Sequence, residues 1–261
     1  MTYLAICLTA FFVSGLTLFS GFGLGTVLMP AFALFFPLPV AIAATAVVHL
    51  ANNLFKLVLV GRDADWGVVW RFSLPAALAA IAGASLLALF AGLPPLGSYA
   101  LGGRVFEVSP LKAAIGMLIV GFSLLEFSPR FAALAFPPRY LMAGGLLSGF
   151  FGGLSGNQGA FRSAFLIKAG LSKEAFVGTN AVSTVIVDTV RLFAYGATFR
   201  AAGWQALPDD LAPLVAAATL AAFAGAFLGA RLLRKVTLTF VQLVVAAMMV
   251  IVGAGLAAGV L

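Results

Sequence analysis

Residues 3–36 run without a single charged side chain. As one continuous helix this run would reach roughly 51 Å, whereas the hydrocarbon core of a bilayer is about 30 Å thick. Something inside it has to break. Ser20-Gly21-Phe22-Gly23-Leu24-Gly25-Thr26 is where glycine allows that at low steric cost. Residues 139–170 pose the same problem with a denser cluster. Gly149, Gly152, Gly153, Gly156 and Gly159 fall within it, together with Ser155, Asn157, Gln158 and Arg162. A helix that breaks inside a bilayer frees backbone N–H groups, which is tolerated only where the break is buried in protein or lines a cavity. A broken helix beside an arginine is also how membrane proteins build anion sites. The candidate substrate-binding residues are therefore Arg162, Asn157, Gln158, Gly156 and Gly159 in the second run, with Gly23 and Gly25 in the first. The competing reading is a glycine-rich loop outside the membrane, with Arg162 at the interface.

Composition identifies the solvent. Hydrophobic residues make up 63% of the 261 positions, mean hydropathy is +1.14, and charged residues are 9%. A soluble chain carries about 25% charged residues, so this is a multi-pass membrane protein with no room for a soluble domain. The net charge of +7 fits basic cytoplasmic loops and not a nucleic-acid partner. One cysteine, Cys7, and one histidine, His49, argue against an intrachain disulfide, a metal site or any cofactor. The start of the sequence lacks the basic region of a cleavable signal peptide.

Phe36-Pro37-Leu38-Pro39 reads as a turn, and the next span covers about 40–60. His49, Asn52, Asn53 and Lys56 share one face of it at i, i+3, i+4, i+7. Polar groups on one face of a span mark a bundle interior or a pathway. Asn52 and Asn53 are candidates to complete the anion site. His49 is also readable as a hydrogen-bonded packing residue, and Lys56 as a side chain snorkelling to the interface. Asn180, Thr184, Asp188 and Arg191 line one face of a later span at i, i+4, i+8, i+11. Asp188 and Arg191 can pair, either as a structural ion pair or with Arg191 meeting an anion while Asp188 orients it or carries a coupling proton. His49, Lys56, Asn180, Thr184, Asp188 and Arg191 are the candidate coupling or gating residues.

The chain repeats itself. Leu78-Ala79-Ala80-Ile81-Ala82-Gly83-Ala84-Ser85-Leu86 returns almost unchanged as Leu220-Ala221-Ala222-Phe223-Ala224-Gly225-Ala226-Phe227-Leu228. Ile119-Val120-Gly121 returns as Ile251-Val252-Gly253, and Lys56 before Gly61 as Arg191 before Gly196. The order is the same in both halves, which indicates an internal duplication. Repeat 1 is residues 1–128, with a broken segment at 3–36 and helices at about 40–60, 68–91 and 109–127. Repeat 2 is residues 129–261, with a broken segment at 139–170 and helices at about 172–196, 211–230 and 237–258. Together they form one transport domain. The stretch between 91 and 109, with Arg104 and Glu107, reads as a Gly/Pro-rich loop.

Two topologies compete. If each broken segment crosses once, Arg104, Lys112, Lys168, Lys173, Arg231, Arg234 and Lys235 face Arg62, Arg71, Arg130, Arg139 and Arg200, seven against five. If each is a re-entrant hairpin, only Arg104, Lys112 and Arg200 oppose the other nine. Basic residues concentrate on the cytoplasmic side, so the second arrangement is favoured. The expected fold is an all-α polytopic membrane protein with two inverted repeats. Each repeat has a re-entrant or discontinuous helical segment plus three transmembrane helices.

Gly156-Asn157-Gln158-Gly159-Ala160-Phe161-Arg162-Ser163-Ala164-Phe165-Leu166, with Asp188 to Tyr195 downstream and the duplicated plan around them, resembles the sulfite exporter TauE/SafE family, also called the four-toluene-sulfonate uptake permease family. The resemblance covers essentially the whole chain. The family's more widespread pattern is consecutive glycines followed by proline. Here Gly21, Gly23 and Gly25 alternate before Pro30, and the second half has Gln158 and no proline. The resemblance implies secondary active transport of a small sulfur-containing anion such as sulfite, sulfoacetate or another sulfonate, with export as the expected direction. It implies membrane lipids, a coupling ion (proton or sodium) and a homodimer as candidate partners, and a plasma or inner membrane location. Access would alternate as one repeat rocks against the other. An anion channel is the nearest alternative. An intramembrane enzyme with His49 or Asp188 as base is more distant, because no nucleophile–base pair or metal cluster is visible.

Overall fold

A computed structural model describes residues 1–20, 24–60, 63–128, 135–201, 210–232 and 238–261. Gly23, the centre of the first expected break, lies outside the described residues, as do Arg62, Arg130, Arg234 and Lys235, and nothing is described of the Arg231 side chain. The chain opens with helices α1 (Thr2–Ser20), α2 (Leu24–Ala33), α3 (Leu38–Val60) and α4 (Trp66–Ala91). Strands β1 (Gly97–Leu101) and β2 (Arg104–Val108) precede α5 (Pro110–Phe127). The second half holds α6 (Leu141–Ser155), α7 (Gly159–Leu166), α8 (Lys173–Ala201), α9 (Leu211–Leu232) and α10 (Leu238–Ala257). Asp65 and Ser109 cap α4 and α5 by accepting from Val68 N and Lys112 N, and Pro110 fits the first turn of α5, where its missing N–H costs nothing. The architecture is helical and multi-span. Among the described residues, Leu38–Val58, Trp66–Ala91, Lys173–Ala201 and Leu211–Leu228 are long and apolar enough to cross a membrane. α2 and α7, with 10 and 8 residues, reach only ~15 Å and ~12 Å. Trp66 and Trp70 stand exposed at the start of α4, the position of interfacial aromatic anchors.

Small residues set the helix packing. On α6, Gly145, Gly149 and Gly153 recur every fourth position, and the backbone of α4 at Phe72, Ala76 and Ala80 presses against them. A methyl group on any of the three would collide with those carbonyls. Lipid supplies no hydrophobic force between helices, so such close backbone approach is what holds them together. Gly83 of α4 returns the contact against Phe150 O. At the other side of the molecule Gly225 of α9 meets Phe11 O of α1 in the same way. α5 and α10 cross at Gly116 and Gly253, and α3 packs against α8.

The expected loop after α4 is a β-hairpin. Gly102 and Gly103 have φ of 59° and 78°, the pair of left-handed residues that a tight two-residue turn requires. Tyr99 and Phe106 stack across the strands, and Tyr99 Oη donates to Ala258 O at 2.7 Å, tying the hairpin to the end of α10.

Candidate functional site

The break between α6 and α7 is the centre of the site. Gly156 takes φ +82°, a conformation that favours glycine, and closes α6 by donating its N–H to Gly152 O at 3.0 Å. Asn157 and Gln158 follow outside regular helix, and α7 starts at Gly159 with no side-chain cap. Ser148 Oγ donates to Gln158 O at 2.9 Å, holding the turn against α6. Phe151 and Phe161 stack on either side of the break, and Phe122 of α5 meets both edge-on. Apolar walls thus surround a polar turn.

A helix that stops inside the membrane leaves a negative dipole end and carbonyls without partners, and one that starts there leaves a positive end. α8 answers both. Arg191 Nη1 donates to Gly152 O at 3.0 Å, and Tyr195 Oη donates to Gly153 O at 2.5 Å, so a cation and a hydroxyl cover the end of α6. Asp188 Oδ1 accepts from Gln158 Nε2 at 2.7 Å, placing an anion at the start of α7. Asp188 and Arg191 also pair directly at 2.9 Å. Both are buried, and their polarity matches the two dipole ends they straddle. His49 of α3 completes the carboxylate, with its Nδ1 2.6 Å from Asp188 Oδ2.

Among the described residues, Arg162 is the other buried arginine. Its Nε donates to Asn180 Oδ1 at 2.5 Å, which commits the side-on fork, while its Nη1 has no partner. Both ends of the buried Asn157 amide also lack partners, as do Gln158 Oε1 and Asn52 Nδ2. Buried polar groups without a partner are rare in folded proteins and mark places that bind something or store strain. Arg162 lies within electrostatic range of Asp188 and Arg191, and Lys56 within range of Arg162. The cluster is therefore net positive.

The remaining sequence candidates fall around this centre. A methyl group on Gly25 of α2 would sit 3.5 Å from Gly156 O and 3.6 Å from the His49 ring, so the first half meets the break of the second here. Asn52 Oδ1 accepts from Ser14 Oγ of α1 at 3.1 Å. Asn53 turns back to its own helix, donating to His49 O, and Thr184 does the same to Asn180 O. Sequence spacing did not find the His49–Asp188 contact, which joins residues 139 positions apart, nor the caps from Arg191 and Tyr195. A signal for the caps was present, since Tyr195 follows Arg191 by one helical turn on the same face.

A bundle of membrane-spanning helices with a net-positive cluster buried at a helix break is an arrangement that membrane transporters use. The profile of the sulfite exporter TauE/SafE family matches residues 4–256, and the chain belongs to that family. Its work is therefore transport, not enzymatic catalysis. No curated protein and no solved structure matches the chain.

Proposed function

We propose that the chain transports a small sulfur-containing oxoanion, bound at the break between α6 and α7. The observation that carries this reading is that Arg162 Nη1 and both ends of the Asn157 amide, five positions apart across the break, are buried without partners. Arg191 and Asp188 already have work at the dipole ends of the break, so their burial has a structural reason. Arg162 Nη1 has none until an acceptor arrives. A guanidinium in an apolar layer with an unpartnered Nη1 suits an oxyanion, and neutral amides from the same turn would hold the anion without trapping it. In this reading Gly156, Gly159 and Gly25 let backbone approach the anion, and Asn52, whose Nδ2 has no partner, is the first half's candidate donor.

The two halves act as inverted repeats that rock about this site. Support comes from the reciprocal packing. The matched glycines Gly83 and Gly225 each meet a phenylalanine carbonyl, Phe150 and Phe11, on a helix of the other half. A negative-inside membrane favours outward movement for an anion crossing alone, which fits export.

The test is binding to purified protein in detergent, by thermal shift and calorimetry. The panel is sulfite, sulfate, sulfoacetate, taurine and short carboxylates. Arg162→Ala is expected to abolish specific anion binding. Arg162→Lys keeps the charge and loses the planar fork, so it should weaken binding by about tenfold or more. Lys173→Ala, in a loop-proximal turn, is the control. Wild-type affinity in Arg162→Ala rejects the site, and an equal loss in Lys173→Ala points to surface electrostatics instead. Counterflow in liposomes separates a transporter from a channel.

A further inference from the structure

We propose that His49 and Asp188 form a proton-binding site whose proton travels with the anion held beside Arg162. This rests on the anion-site reading above. The Asp188 carboxylate is buried and meets three elements: His49 Nδ1 of α3 at 2.6 Å, Gln158 Nε2 at the start of α7 at 2.7 Å, and, as an ion pair, Arg191 Nη2 of its own helix at 2.9 Å. Two of these partners cannot exchange a proton in the physiological range, since an amide has none to give and arginine stays charged. The imidazole can. Its Nδ1–H is held by the carboxylate, so the added proton goes to Nε2 and leaves an imidazolium paired with Asp188. His49 is the member of the pair that keeps contact with the outside of the cluster, with 12% of its side chain accessible against none for Asp188.

The surroundings supply the coupling. Arg162 of α7 and Arg191 and Tyr195 of α8 are the other titratable groups in electrostatic range of the pair, and Lys56 of α3 acts on Arg162. Tyr195 Oη is engaged with Gly153 O. α2 and α6 bring no titratable side chain, and Arg71 of α4 is exposed near its own start. With the imidazole neutral, the two guanidinium groups outnumber the one carboxylate. An anion entering beside Arg162 cancels that excess, and a proton on His49 then meets less repulsion. Anion and proton therefore stabilise one another, and by linkage each raises the affinity of the other equally. A monoanion moving with one proton crosses without net charge, so the anion and proton gradients and not the membrane potential set its direction, while a dianion still carries one negative charge that the potential drives outward.

Proton uptake on binding is the test. Calorimetry with sulfoacetate at neutral pH, in the cationic buffers Bis-Tris and Tris, gives the number of protons from the dependence of the heat on buffer ionisation. Wild-type protein is expected to take up a proton, with affinity rising by up to about tenfold per unit of falling pH, the limit for one linked proton. His49→Asn keeps an N–H donor for Asp188 and cannot be protonated, so its binding should be independent of pH and release no buffer heat. Proteoliposomes of wild-type protein loaded with a pH-sensitive dye need no variant, and sulfoacetate added outside should acidify the lumen. Sulfoacetate binding without proton uptake, or unchanged uptake in His49→Asn, overturns this inference and leaves the anion site standing. No binding of sulfoacetate by wild-type protein, with binding of other panel anions that take up no proton, has the same effect. No binding of any panel anion rejects both.

Discussion

Arg191 shows how a charge can be buried in a membrane helix for structural reasons. It covers the end of α6 through Gly152 O and neutralises Asp188. Removing one partner of such a buried pair costs about 3–5 kcal/mol, because the other charge stays behind unpaired. Asp188→Asn is expected to destabilise the protein by an amount of that order and to impair transport further than the stability loss explains. Uptake into proteoliposomes, normalised to folded monodisperse protein, separates the two effects. Normal uptake at every pH would remove Asp188 from the transport cycle. At this scale the sequence was partly legible. Helical spacing brought Asp188 to Arg191 and aligned Asn180 with them, because a helix fixes which residues share a face. It could not join His49 to Asp188, nor show that Asn180 would occupy Arg162 Nε, because such contacts depend on how separate helices pack.

Helix contacts in this molecule are decided by what glycine leaves out. Gly149 and Gly25 are both glycines in apolar helices, yet they differ in kind. A methyl group on Gly149 meets the Ala76 backbone at a separation no real side chain adopts, and backbone cannot swing away. One on Gly25 makes only ordinary contacts with Gly156 and His49. Gly149→Ala is expected to cost about 1–3 kcal/mol or more, the scale of overpacking in a close-packed interior. Gly25→Ala should change thermal stability little. Melting of the two variants in detergent makes the comparison, and equal melting points would contradict it. Orientation belongs to this scale too. Phe35 and Lys168 are exposed, and the inverted arrangement puts them on opposite sides. With Cys7 replaced by serine, Phe35→Cys should react with an impermeant maleimide from outside and Lys168→Cys only from the cytoplasm. Reaction of both from one side would remove the inverted reading. The glycine clusters made the second break legible before any coordinates. The hairpin was missed although its turn, Gly102-Gly103 between Tyr99 and Phe106, is a strong local signal. The surrounding apolar runs drew the reading toward helices and loops.

For the whole molecule, composition alone made the class legible: so few charges in so long a chain leave only the membrane as solvent. The reciprocal packing was not legible, since no local pattern says that α1 belongs beside α9 or α6 beside α4. That arrangement has a consequence during synthesis. α1 ends at Ser20 and its partner α9 begins at Leu211, so 211 − 20 = 191 positions separate them along the chain. A ribosome adding roughly 5–20 residues per second needs ~10–40 s to cover that distance. Throughout that interval the face of α1 that carries the Phe11 carbonyl waits for Gly225. The nascent chain can pack α1 on α2 and α3 at once, but its face toward α9 stays open to whatever chaperones and proteases patrol the bilayer until nearly all of the protein has been made.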